Sequence, residues 1–428
     1  MRWLEITRSN SLTGSITIPG SKNSSLPLLA ACCLCDSKVI LKNIPNISDV
    51  SLICDIAENI GMNIVIKKDK LILDPSNIYS SNIDHKKSAH FRASYYFAGA
   101  LLAKFKKVSI GYPGGDDFGS RPIDQHIKGL EALGAKFNFY PDYYVVEANK
   151  LIGSDIYFDV ISSGATINIM LAAVLAEGKT ILRNVAKDPE VVDVAIFLNE
   201  MGALVKGAGT DRIVIEGVKR LGGGTHFAIP DRLIAGTFLM AAGITGGDIT
   251  VEGIIPEHLI SCTAKLEEAG LYIEKGNNYI RAFTKEKIKG VNVKATMYPG
   301  FATDLQQPLT AMLIAASSHS VIVDTVYPGR FNHCHELNLM GADIIIKEGS
   351  AIIPGNRCLK GALVNASDVR AGISLILAGL SAEGTTYITG VEHIERGYAD
   401  FVKNFVSLGA NMKLVENDEE ENVKFNFG

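Results

Sequence analysis

Seven cations recur where helices are expected to begin. Lys22, Arg92, Arg232 and Arg370 open one set of apolar, Ala-rich segments, and Arg121, Arg330 and Arg396 open a second set. A helix start presents free N–H groups and about half a positive charge, so Lys and Arg are disfavoured there unless an anion offsets them. Their repetition, in a chain of formal net charge −4, points to a concentrated polyanion site, and two phosphorylated ligands would suit it. The plainer reading is that they are ordinary first-turn residues. Two carboxylates accompany them. Asp304 opens a helix in Phe301–Gln306, where capping is the plain role. Asp116 stands beside Asp117 in the glycine-rich stretch Gly114–Gly119, just before Arg121. Such a loop is either solvated or a lid carrying an acid, since neighbouring carboxylates raise one another's pKa.

The elements that must position these residues form an internal repeat. An apolar helix ending in Gly, then a strand, a turn and a second strand, recurs around Gly61, Gly134, Gly202, Gly270, Gly341 and Gly409, at intervals of 68 to 73 residues. Gly there suits a helix C-terminus closed by a left-handed residue. Alternating with it is a short strand followed by an apolar helix, beginning near Lys22, Arg92, Ser163, Arg232, Asp304 and Arg370. Each copy reads strand, helix, strand, helix, strand, strand. The repeat length is longer than the usual solenoid period of ~20 to 50 residues, and the six copies divide naturally into two α/β domains of three. Gly222–Gly224 is a plausible linker, and the acidic tail 417–428 is expected to be disordered.

With 428 residues, 47% of them hydrophobic, the chain can bury large cores. Its charge argues against a nucleic-acid binder. No apolar run reaches the ~20 residues of a membrane span, and the start Met1–Glu5 carries charges where a signal peptide needs apolar residues, so no membrane insertion and a cytoplasmic location are expected. Seven cysteines fit reduced thiols, and Cys32, Cys33 and Cys35 fit a core better than a zinc site. Glu177–Thr180 resembles the end of a phosphate-binding loop, but Ala173 stands where its first Gly belongs. His333 and His335 diverge on a helix and make a poor metal pair.

The ordered segments Pro19–Asn23, Phe91–Ser94, Gly119–Asp124, Ser163–Thr166, Gly209–Arg212, Pro230–Arg232, Thr303–Gln306, Gly329–Phe331, Asp368–Ala371 and His393–Tyr398 resemble those of the UDP-N-acetylglucosamine 1-carboxyvinyltransferases, over Leu12 to Val415. The related shikimate-pathway enzyme shares the six-copy fold, but its Gly-Asn-Ala-Gly-Thr phosphate motif is absent here. The resemblance implies an enolpyruvyl transferase fold, a two-domain inside-out α/β barrel that closes on substrate. Residues 22–229 would form one domain, and 1–21 with 230–416 the other.

It also implies roles. Lys22, Arg121 and Arg396 match contacts to phosphoenolpyruvate, and Arg92, Arg330 and Arg370 match other active-site cations. Asn23 and Asp304 match groups that hold UDP-N-acetylglucosamine, with Asp304 the base for its 3-hydroxyl. Arg121, Pro122, Ile123 and Asp124, with Ser162, Ser163 and Gly164, match positions around the uridine diphosphate, and Val326 matches a further substrate-binding position. Asp116 matches the loop position that delivers a proton; most members carry a Cys there, which fosfomycin alkylates. The reaction adds the sugar hydroxyl to the enol carbon and then expels phosphate, the first committed step of peptidoglycan synthesis. No metal or organic cofactor is implied, and a monomer is expected. Gln307–Pro308 departs from the usual Ala-Gln, and Ile234 from a common acid. An enzyme acting on another uridine nucleotide and a non-catalytic sugar-nucleotide sensor are the competing readings. A sensor would have no need of Lys22, Asp304 and Arg396 together.

Overall fold

The six marker glycines close helices with φ between +90° and +107°, a region that side-chain-bearing residues rarely enter. This computed structural model describes residues 2–67, 70–115 and 122–416. Asp116, Arg121 and the tail 417–428 lie outside the described residues.

The apolar segments become helices Lys22–Ala31, Tyr96–Phe105, Ser163–Ala173, Arg232–Thr245, Gln306–Ile314 and Val369–Ser381, buried on nearly every side. A helix apolar all round belongs in a core. The described residues divide into two compact units, a first of residues 20–115 with 122–229 and a second of 2–19 with 230–416. In the second, Arg232–Thr245, Gln306–Ile314 and Val369–Ser381 pack on one another; in the first, Tyr96–Phe105 packs on Lys22–Ala31 and Ser163–Ala173. Sheets surround these helices, three in each unit among the described residues, and their strands alternate buried residues with partly buried or exposed ones. Helices within and sheets without make the inside-out α/β barrel. The second helix set, for example Pro189–Glu200, keeps one face exposed.

The copies read along the chain are not the pairing units in space. Strand Thr13–Thr17 precedes helix Lys22–Ala31, yet it pairs in parallel with Asp248–Glu252, from Thr13 opposite Asp248 to Thr17 opposite Glu252. Gly224–Phe227 precedes helix Arg232–Thr245, yet it pairs in parallel with Val39–Lys42. The chain therefore passes from unit to unit at residues 19–20 and 229–230. The crossing is tight: a Cβ on Gly20 would lie 1.6 Å from the Asn43 carbonyl oxygen. Among the described residues one strand follows Gly409 in the sixth copy, and its sheet is completed by Arg2–Thr7, antiparallel between Thr385–Thr389 and Met412–Glu416.

Strand Gly224–Phe227 is pinned by an ionic cluster in which His226 and Asp193 are buried and Glu200 is exposed. His226 Nδ1 meets Glu200 Oε2 at 2.7 Å and Nε2 meets Asp193 Oδ1 at 3.1 Å. Asp193 also accepts from Ser24 Oγ in helix Lys22–Ala31. Burial alone would push the imidazole down, but the two carboxylates outweigh it and raise its pKa. A raised folded-state value means this stability is fully present below the unfolded pKa of ~6.5 and is lost as pH rises through the folded value. His226→Gln should therefore cost about 1–2 kcal/mol at pH 6, chiefly through buried Asp193 because exposed Glu200 is screened by solvent, with the gap to wild type narrowing as pH rises. Thermal unfolding of the two proteins from pH 6 to 9 checks this, and parallel curves would remove the assignment.

Candidate active site

Asp304 lies in the 3-10 turn Thr303–Leu305 that runs into helix Gln306–Ile314. Its carboxylate caps neither element, which corrects the plain reading of this residue. Instead Oδ1 accepts from Arg330 NH1 at 2.5 Å, and Oδ2 accepts from Arg370 Nε at 3.3 Å. Both guanidiniums are buried, Arg330 at 5% exposure and Arg370 at 3%. Arg330 stands two residues ahead of helix Asn332–Leu339, and Arg370 lies in the first turn of Val369–Ser381.

The surroundings fix these arginines. Asp368 caps helix Val369–Ser381 through the Arg370 and Ala371 amides, at 2.8 and 3.1 Å, and sits 3.8 Å from Arg330 NH2. Arg370 NH1 donates to the Tyr398 hydroxyl at 3.0 Å, which meets Thr237 Oγ1 at 2.7 Å. Asp324 accepts from Thr303 Oγ1 at 2.6 Å and from the Val326 and Tyr327 amides at 2.9 Å each. It thereby ties the turn bearing Asp304 to the loop ahead of Arg330. Burial on its own would raise the Asp304 pKa, but Arg330 and Arg370 hold the carboxyl well below the usual carboxylate range. Asp304 is thus an ionised acceptor between two fixed cations. Such a site can take a proton from a hydroxyl and stabilise developing negative charge beside it.

A second group belongs to the first unit. Lys22 opens helix Lys22–Ala31 and its Nζ lies 2.6 Å from Asp49 Oδ2; Asn23 beside it is exposed. Arg92 NH2 donates to the Pro122 carbonyl at 3.4 Å, and its guanidinium lies 5.6 Å from the centre of the Tyr95 ring. Ile123 and Asp124 begin helix Asp124–Ala132. Ser162 caps helix Ser163–Ala173, accepting from the Ala165 amide at 3.2 Å, and Ser163 Oγ donates to Asp188 Oδ2 at 2.9 Å. At Gly164 a Cβ would lie 2.3 Å from the Tyr95 hydroxyl, so this helix start must stay bare.

Several expectations change. Arg92 opens a 3-10 turn, with the α-helix starting only at Tyr96. Arg396 is not at a helix start: it follows the short helix Val391–Glu395 at its C-terminal end, and Phe401–Ser407 begins later. A cation suits the negative end of a helix dipole. The need for an anion at disfavoured helix-start cations is met in part within the chain, by Asp49 on Lys22 and by Asp304 on Arg330 and Arg370. Sequence reasoning missed Asp49, Asp324 and Gln307 as partners of these groups. Only Gln307 carried a signal, as a departure from the family pattern.

Residues 6–405 match the family model described as EPSP synthase (3-phosphoshikimate 1-carboxyvinyltransferase). The chain belongs to this enolpyruvyl transferase family. The transferase is 47% identical over 423 residues to UDP-N-acetylglucosamine 1-carboxyvinyltransferase 2 of Geobacillus kaustophilus (strain HTA426), covering 98% of this chain and 99% of that protein. It is 48% identical over 422 residues to the protein of the same name from Bacillus subtilis (strain 168), covering 98% of each. The crystal structure of the enolpyruvyl transferase NikO from Streptomyces tendae superposes with a TM-score of 0.89 at 22% identity, covering 96% of this chain and 98% of that one. EPSP synthase from Acinetobacter baumannii gives 0.73 at 18% identity, covering 97% and 100%. At these identities the two structures speak for the fold of the transferase alone.

Proposed function

We propose that this enzyme transfers the enolpyruvyl group of phosphoenolpyruvate to the 3-hydroxyl of UDP-N-acetylglucosamine, releasing phosphate, as the committing step of peptidoglycan synthesis in the cytoplasm. The observation that carries this reading is Asp304, an ionised carboxylate gripped by Arg330 and Arg370. It is supported by near-complete alignment with curated relatives of that name. Asp304 takes the hydroxyl proton as the sugar oxygen bonds to the enol carbon, and Asp116 delivers a proton to the methylene carbon. The tetrahedral intermediate then breaks its carbon–oxygen bond to phosphate and returns a methyl proton to Asp116, leaving inorganic phosphate and the carbon–carbon double bond of the enolpyruvyl ether. Lys22, Arg121 and Arg396 hold phosphoenolpyruvate. Asn23 holds the sugar, Arg121, Pro122, Ile123 and Asp124 with Ser162, Ser163 and Gly164 surround the uridine diphosphate, and Val326 lines the substrate site. Arg92 supplies further positive charge. No metal or organic cofactor enters these steps, and the enzyme acts as a monomer. No helix among the described residues is long and apolar enough to cross a membrane.

As long as Asp304 stays paired with both arginines it is a weak base. Substrate binding must ease that grip, for instance by drawing one guanidinium onto a ligand anion. The test is phosphate release from phosphoenolpyruvate across a panel of uridine nucleotides. Release that requires UDP-N-acetylglucosamine is expected. Release only with another uridine acceptor, or nucleotide binding with no release, would reject the reading.

A further inference from the structure

Gln307 stands where the chain departs from the family pattern, and it is completely buried. Oriented as its neighbours require, its amide oxygen accepts from Arg330 Nε at 2.9 Å and its nitrogen donates to the Thr303 carbonyl at 3.0 Å. The reverse orientation would set oxygen against oxygen and nitrogen against nitrogen. The amide thus spans from the residue before Asp304 to the arginine that grips Asp304. The adjacent Gln306 Nε2 donates to the Arg330 carbonyl at 2.7 Å, so Arg330 is held at both its backbone and its side chain.

We propose that Gln307 is a positioning residue that sets the geometry of the Arg330–Asp304 pair, and through it the readiness of Asp304 to accept a proton. This rests on the role given to Asp304 above. Among the described residues, the charged and titratable groups facing Arg330 include Asp304, Asp368, Arg370 and His333, and Tyr327, whose ring centre lies 5.9 Å from the guanidinium. His333 is kept neutral by burial, which pushes it down to about 3. A neutral amide is what this position needs: it satisfies Nε without competing with Asp304 for the positive charge. A carboxylate there would compete.

Gln307→Leu keeps the volume and removes both hydrogen bonds, whereas Gln307→Glu keeps an acceptor on Arg330 and adds charge. In Gln307→Leu, kcat should fall roughly ten- to hundredfold, with KM for the sugar nucleotide within about threefold of wild type. Gln307→Glu should regain kcat to within about tenfold of wild type, and the acid-side fall in its activity should move to higher pH as Arg330's hold on ionised Asp304 weakens. A readout independent of turnover is the Arg330 Nε–H signal in 15N–1H spectra, identified by its loss in Arg330→Lys. Slow solvent exchange is expected in wild type and fast exchange in Gln307→Leu. Wild-type kcat in folded Gln307→Leu, or an unchanged Nε–H, would overturn the proposal. If Gln307→Leu does not fold, an unmoved acid limb in Gln307→Glu overturns it. Wild-type protein that releases no phosphate would reject the proposed reaction, and the Nε–H exchange then judges Gln307 by itself.

Discussion

Asp304→Asn is expected to lower kcat by roughly 10²- to 10⁴-fold, the range of a general base, while sugar-nucleotide affinity stays within about tenfold of wild type. The amide keeps the shape and can still accept from one arginine, but it cannot take the proton from the acceptor hydroxyl. The pairs it replaces are largely enclosed, a short one with Arg330 at 2.5 Å and a longer one with Arg370 at 3.3 Å. Losing the charge therefore leaves two buried guanidiniums facing each other, at a cost in stability of about 3 kcal/mol. The depressed pKa of Asp304 fixes the sign of its pH dependence. Its stabilising contribution is present above the unfolded value of ~3.9 and is lost only as pH falls through the lower folded value. Between pH 6 and 8 the two proteins should thus differ in stability by a constant amount. Phosphate release, calorimetric titration with UDP-N-acetylglucosamine and thermal unfolding together check this. Turnover within threefold of wild type in Asp304→Asn would end the assignment of a base here.

Fosfomycin should fail to inactivate the wild-type enzyme, whereas Asp116→Cys should remain active and lose activity irreversibly, at a rate higher by at least on the order of a hundredfold. A thiolate opens an epoxide readily, and a carboxylate is a far weaker nucleophile. No other thiol substitutes. Six of the seven cysteines are buried, and burial pushes Cys33, Cys35, Cys54, Cys262 and Cys334 up to about 12, so they stay protonated. Cys358 is exposed, and Cys358→Ser should leave the response of both proteins unchanged. Asp116→Ala should lose activity by roughly 10²-fold or more, since the methylene carbon would then lack the proton donor proposed for it. Time-dependent, irreversible loss of wild-type activity with the drug, or full activity in Asp116→Ala, would show that this position plays neither part.

Local periodicity carried much of the architecture. The six glycines close helices because left-handed backbone is a property of single residues, and the apolar segments are central because a helix without a polar face has nowhere else to go. Strand pairing was less legible. Thr13–Thr17 and Gly224–Phe227 have the same pattern, and nothing local says that each joins the sheet of the other's helix. Parallel strands are joined by long crossovers, so their partner is a property of the whole fold. Residue types and helix ends marked Lys22, Asp304, Arg330 and Arg370 as candidates. Only the tertiary structure decided what each one meets. Asp304 and Arg330 are 26 residues apart, and Asp304 and Arg370 are 66 apart. A side-chain ion pair leaves no periodic trace over such separations, because it depends on where two helix starts arrive in space. The same holds for Gln307 on Arg330 and for His226 between Asp193 and Glu200. A buried polar group must find a partner, and that requirement is written in the sequence. The identity of the partner is set by the packing that buries both.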